Sequence, residues 1–238
     1  VHIKETPGFN IGGAGQPSGC TNSLHSHRTA EVFIIHSGSW RMFWGLEGND
    51  GEVVLNPGDL ISLPSHMFRG FENVTPISTN NENGYGFMFA VLGGDDSGGG
   101  VIWAPEVLKE ACKHGLTLLE SGELVDTGAG EEIPAGILPL TPASGTDLSF
   151  YSRNTITDAS KVVVTRPDES TYRETELIGR SSKAAIRECP GFEVRRVQWG
   201  KGDEIPWRAP SLDTVLISNL GSVALSGGEA LGPGDVVL

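Results

Sequence analysis

Two histidines separated by one residue, His25-Ser26-His27, are followed four positions later by Glu31. On an extended segment, residues two apart face the same side, so the two imidazoles converge. Glu31 opens the apolar run Val32-Phe33-Ile34-Ile35. Two neutral ring nitrogens and one carboxylate oxygen near one point form a ligand set for a divalent first-row metal, with iron, manganese, nickel and zinc all acceptable. Something must hold these three residues in register, and the glycines around them are the first clue to what that is.

Five residues separate Gly19 from His25, and six separate Glu31 from Gly38. A second frame follows with Gly58, five residues, Pro64, and then Asn73. Together these frames resemble the two motifs of the cupin superfamily, with every fixed position of the first motif present. The resemblance implies an all-β chain built on a double-stranded β-helix, the cupin jelly-roll barrel. It also implies a metal held by His25 and His27, with Glu31 either a third ligand or a hydrogen-bonding partner of a ligand histidine. The second motif departs from the family at two positions. His66 stands where the family usually has a glycine, and Arg69 stands where it usually has its last metal-binding histidine. His66 can take the missing ligand position only through a shift of its loop. Arg69 cannot coordinate a cation, because a guanidinium is always charged and only donates. Three roles remain open for it: a two-pronged clamp on a substrate carboxylate, an ion pair with Glu31 in a site that has lost its metal, or an outward-facing residue.

The elements expected to position these residues are short strands. Residues 24–36 read as two strands, followed by Trp40 to Trp44, Glu52 to Leu55, Leu60 to Leu63, Met67 to Phe71 and Gly86 to Leu92, with a turn cluster over 46–51. An edge strand or arm is expected within residues 1–18. Met42, Phe43, Trp44, Phe68 and Phe71 should alternate between the barrel lining and its outside. His36, five residues after Glu31, should face away from it, and His2 and His114 read as surface residues. Residues 93–100 read as a flexible linker. One short helix is expected over 105–114, with Pro105 suited to its first turn and Gly115 to its end. Lys161 to Thr165 reads as a strand.

The chain also repeats itself. Pro7-Gly8-Phe9 recurs as Pro190-Gly191-Phe192 at an offset of 183, and the same offset carries Gly19 to Gly202 and Gly38 to Gly221. The turn Pro57-Gly58-Asp59 recurs as Pro233-Gly234-Asp235 at an offset of 176. Such self-similarity indicates duplication of one structural unit, and the chain resembles a two-barrel protein, a bicupin. Residues 1–92 are expected to be a barrel carrying the metal motif, 93–185 an inter-barrel connection with the helix, and 186–238 a second barrel. Arg208, Pro210 and Thr214 fall at the positions of His25, His27 and Glu31, so the second copy is degenerate and metal-free. It is also expected to be incomplete, because a barrel needs further strands after Val236-Val237-Leu238, and their absence would expose a sheet edge.

Bulk composition limits the partners. The 238 residues suffice for one large or two small domains, and 33 Gly with 14 Pro favour many turns over long helices. A net charge of −13 argues against nucleic acid and anionic membranes. No run approaches the roughly 18 apolar residues of a membrane helix, and no charged-then-apolar leader is visible. Three widely spaced cysteines, Cys20, Cys112 and Cys189, make a disulfide scaffold improbable, read as small buried thiols, and suggest a reducing cytoplasm. Association into a homodimer through sheet edges is in keeping with such a barrel.

The two-barrel layout resembles gentisate-type ring-cleaving dioxygenases. That resemblance implies Fe(II) and a small aromatic or keto-acid substrate whose carboxylate meets Arg69. The alternatives are a metal-free bicupin that binds a small anion, in which Arg69 has displaced the metal, and a sugar or keto-acid isomerase using manganese, nickel or zinc.

Overall fold

Alternation of buried and half-exposed residues sets the strands, and Trp40-Arg41-Met42-Phe43-Trp44 shows it most plainly. Trp40, Met42 and Trp44 are buried, while Phe43 turns outward beneath the Arg41 guanidinium, 4.7 Å from its ring centre. A computed structural model describes residues 3, 8–93, 101–166, 173–187, 190–204, 214–225 and 227–237 of the protein. Its strands are, in order, β1 (Phe9–Gln16), β2 (Thr21–Ser26), β3 (Glu31–Ser37), β4 (Trp40–Trp44), β5 (Gly51–Leu55), β6 (Leu60–Leu63), β7 (Arg69–Asn73), β8 (Gly86–Gly93) and β9 (Ile102–Trp103). After helix α1 (Pro105–Lys113) come β10 (Leu116–Leu118), β11 (Leu124–Asp126) and helix α2 (Gly145–Tyr151). The C-terminal part holds β12 (Val163–Val164), β13 (Arg173–Ile178), β14 (Val194–Gln198), β15 (Leu216–Ile217), β16 (Val223–Ala224), β17 (Ala230–Leu231) and β18 (Val236–Val237).

Two five-stranded antiparallel sheets form the N-terminal half, ordered β1-β8-β3-β6-β12 and β5-β4-β7-β2-β9. Apart from the β4–β5 hairpin, the chain changes sheet at each step from β1 to β8, which is the winding of a double-stranded β-helix. Phe33, Ile35, Leu63 and Met88 of the first sheet meet Trp40, Met42, Trp44 and Phe71 of the second in one buried core. The first sheet is buried on its outer face as well. There Ile11, Val32, Leu60, Phe89 and Val91 pack on Leu177, Ile178, Ile186 and Phe192. Burial on both faces explains why β3 and β6 read as continuous apolar runs rather than alternating ones.

Asn73 clips the barrel together. Its buried amide donates to the carbonyls of Gln16 (2.6 Å) and Gly84 (2.8 Å), and its Oδ1 accepts from the Thr75 amide (2.9 Å). Losing these bonds strands buried backbone groups. Asn73→Ala should lower stability by about 2–4 kcal/mol, read as a shift in urea midpoint; a loss below about 0.5 kcal/mol would contradict the clip.

The repeated turn is repeated in its hydrogen bonds. Gly58 donates to Ile35 (2.8 Å) and Ile35 to Asp59 (3.0 Å); Gly234 donates to Ser218 (2.7 Å) and Ser218 to Asp235 (2.9 Å). In each turn the aspartate caps the amide three residues before it, Asn56 at 2.8 Å and Gly232 at 2.7 Å. Equivalent residues also touch: Phe9 and Phe192 rings lie 5.7 Å apart, and His36 Nδ1 donates to the Asn219 carbonyl at 2.6 Å. Among the described residues the strands after β12 form the pairs β13–β14, β15–β18 and β16–β17.

Several expectations change. Arg69 opens β7, so Met67 and Phe68 lie in the turn before it. Helix α1 is not the sole helix, because α2 lies in the connection. Lys161 closes a short 3-10 turn (Ala159–Lys161), leaving only Val163 and Val164 as strand. Cys20 and Cys112 are free but exposed rather than buried. Cys189, His2, Pro7, Arg208, Pro210, Leu238 and most of the linker lie outside the described residues. Among the described residues no helix is long and apolar enough to cross a membrane.

Candidate metal centre

The site forms at one end of the barrel, where both sheets contribute. His25 lies on β2 directly opposite Arg69 on β7, and Glu31 starts β3 in the facing sheet. A register shift in β2 between Asn22 and His25 interrupts the ladder just before the histidines. Such bulges re-aim side chains next to functional sites. His27 follows the end of β2, and its carbonyl accepts from the His66 amide at 2.9 Å.

Both imidazoles are held in one orientation. His25 Nδ1 donates to the Ser23 carbonyl at 2.7 Å; His27 Nδ1 donates to Thr29, whose Oγ1 lies at 2.8 Å. A hydrogen bond at one ring nitrogen orients an imidazole and leaves the other nitrogen for a metal, the arrangement that supports ligand histidines elsewhere. The rings lie nearly parallel, with centroids 5.8 Å apart. Ligand atoms of His25, His27 and Glu31 all fall within 4.8 Å of one another, and all three residues are buried. By donor chemistry this set fits a divalent metal.

Arg69 points inward and is 1% exposed. Its Nη2 lies 3.3 Å from Glu31 Oε2, its Nη1 donates to the Met67 carbonyl at 3.0 Å, and its Nη2 lies against the His27 ring, 3.0 Å from Nδ1 and in contact with Nε2. The outward reading of Arg69 is thereby excluded, and the ion pair with Glu31 is present. His66 is not brought into the ligand group. It sits in the left-handed region at φ 56°, a conformation that costs a side-chain-bearing residue energy and that turns it away from the site. Its ring packs edge-on against Phe150 at 4.5 Å, and Arg153 approaches its Nδ1 at 3.2 Å. His36 faces the other way, between Phe87 and Phe89, as its spacing indicated.

Sequence reasoning missed the residues that cover the site. Helix α2 is tied to the ligand segment: Ser26 Oγ donates to the Tyr151 carbonyl (2.8 Å) and Arg28 Nε to the Tyr151 hydroxyl (3.1 Å). Trp103 packs against His25 at 5.6 Å and lines a cavity of ≈ 310 Å³ together with Arg28, Leu108, Thr141 and Tyr151. Neither this cavity nor a second of ≈ 320 Å³, around Leu46, Asp50 and Ser152, is lined by His25, His27, Glu31 or Arg69. The pattern Ser144-Gly-Thr-Asp147 is a helix-start signal and was the one available hint of α2.

Burial, reinforced by the Arg69 charge, pushes the His25 pKa down to about 4. For Glu31, burial favours the neutral acid, but the His27 ring and the Arg69 charge outweigh it and hold its pKa at about 2. Burial lowers Arg69, opposed by Glu31. In the metal-free protein both shifts act in one direction. An unfolded histidine titrates near 6.5, so stability should fall as pH drops from about 6.5 to 4 while only the unfolded chain gains that proton. Glu31 adds a further loss below about pH 4.5, continuing towards 2. His25 alone accounts for about 3 kcal/mol. The melting temperature should therefore be flat above pH 7 and drop steeply below 6; a flat profile down to pH 4.5 would contradict the cluster.

No family model matches the sequence, and no curated protein matches it. Several solved structures align with part of the chain at low identity. A recombinant oxalate oxidase in complex with glycolate aligns with a TM-score of 0.34 and 18% identity, over 42% of this chain and 48% of that one. An uncharacterized double-stranded β-helix protein from Klebsiella pneumoniae gives 0.35 and 17%, over 43% and 75%. A cupin-superfamily protein from Desulfitobacterium hafniense gives 0.31 and 13%, over 38% and 72%. The alignment thus spans about half of the oxalate oxidase. The strand order of this chain, rather than these scores, carries the assignment of a double-stranded β-helix.

Proposed function

We propose that the protein is a metal-dependent enzyme of the cupin type that acts on a small acidic substrate, with Fe(II) as the metal and a hydroxylated aromatic acid or a keto acid as the substrate class. The observation that carries this reading is the buried pair of imidazoles, each hydrogen-bonded at Nδ1 and each offering a ring nitrogen within 4.8 Å of a Glu31 oxygen. Two histidines and one carboxylate with open positions are the ligand pattern of non-haem Fe(II) oxygenases. Fe(II), when bound by His25, His27 and Glu31, supplies open coordination positions and a one-electron couple. The rest is done by the chain. Ser23 and Thr29 keep the rings aimed, Arg69 pairs with the substrate carboxylate, and Trp103 with α2 limits water at the site. Exclusion of water strengthens the electrostatic pairing on which orientation depends.

Metal analysis by inductively coupled plasma mass spectrometry, before and after anaerobic Fe(II) loading, tests the reading. Near one iron per chain is expected, followed by oxygen uptake on hydroxylated aromatic acids. A protein that takes up no divalent metal would instead match a second reading, a metal-free binder of small anions. That reading is favoured by one observation, the contact of Arg69 with both His27 and Glu31.

The repeated turn bonds and the Phe9–Phe192 contact support residues 186–238 as a second, degenerate cupin copy, and with it a bicupin. Two exposed free thiols suit a reducing cytoplasm. A homodimer through sheet edges is checked by light scattering.

A further inference from the structure

Glu31 is the one carboxylate of the four clustered side chains, and it is already paired with a cation, Arg69, at 3.3 Å. Arg69 also stands where a metal would bind. Its Nη2 lies against the His27 ring, in contact with both ring nitrogens, and 3.3 Å from Glu31 Oε2. A divalent cation entering this site must displace the guanidinium from both. Arg69 cannot shed its proton, and at 1% exposure it is shielded from bulk water. Two positive groups would then share a buried space with one carboxylate between them, a costly arrangement. A small anion removes the conflict, because a carboxylate gives the displaced guanidinium a partner that accepts two parallel hydrogen bonds.

We propose that this site takes up a divalent metal and a small carboxylate as a unit, each raising the affinity for the other, with Arg69 as the residue that couples them. The proposal rests on the metal-dependent reading above and deepens it. By linkage the coupling is reciprocal: acetate must tighten metal binding by the same factor by which metal tightens acetate binding.

The test uses Mn(II), whose free form is read by electron paramagnetic resonance, titrated into the whole chain in perchlorate with and without saturating acetate. Acetate should tighten Mn(II) binding at least tenfold in the wild-type protein. Arg69→Gln should bind Mn(II) without acetate, at least tenfold more tightly than wild type does alone, and should show less than a twofold acetate effect. If Arg69→Gln does not fold, the wild-type acetate dependence decides by itself. Tight wild-type binding indifferent to acetate would overturn the coupling and leave the metal site standing. Absence of Mn(II) binding in either protein, with or without acetate, would overturn both.

Discussion

Arg69→Met should cost about 3–5 kcal/mol of stability, and adding Glu31→Leu to it should restore most of that loss. The single change removes the cation that pairs with a buried carboxylate at 3.3 Å and leaves the carboxylate with no compensating charge. It also strands the Met67 carbonyl, which Arg69 Nη1 now satisfies at 3.0 Å. The double variant replaces the ion pair with apolar groups, an exchange that is commonly neutral when the volume is filled. For a chain of this size the single variant should melt on the order of 10 °C lower. Urea titrations of the parent, both single variants and the double variant give the coupling energy as a cycle. Additive losses, or a single-variant cost below about 1 kcal/mol, would mean that the guanidinium and carboxylate do not depend on one another.

The second large effect is on metal retention. A protein carrying both His25→Ala and His27→Ala should lose it, with affinity lower by about 100-fold or more, because the loss of orienting partners alone costs 10–100-fold at such sites. Each alanine removes a ring nitrogen, and Glu31 by itself offers a single carboxylate to the cation. Thr29→Val should fall in between, since it removes only one of the partners that aim His27. Iron content per chain after anaerobic loading and desalting is the readout, with circular dichroism to verify the fold. Unchanged metal content in the double variant would remove His25 and His27 from the site.

Much of the barrel is legible in the chain because strand identity is set by neighbours. The alternation in Trp40–Trp44 assigns inside and outside without reference to anything distant. Gly19 and Gly38 take φ of 81° and 79°, backbone that side-chain-bearing residues adopt rarely, so those motif glycines are fixed by local geometry. The position of Asn73 in the motif is explained by the three backbone groups it satisfies.

The double-stranded β-helix is implied by the resemblance of the glycine and histidine frames to the cupin motifs, and spacing over a few residues gives the convergence of His25, His27 and Glu31 and the outward direction of His36. Only the tertiary structure decided what Arg69 and His66 do. Arg69 reaches Glu31 and His27 across 38 and 42 residues, because the β2–β7 register places it opposite His25. His66 is turned away by the left-handed backbone of its turn and held by Phe150 and Arg153, some 85 residues distant, on and just after a helix in the connection. Pairings of this kind depend on which strands become neighbours and on which segment covers the barrel end. No local pattern encodes them, because their energy is realised only when distant parts of the chain are packed together.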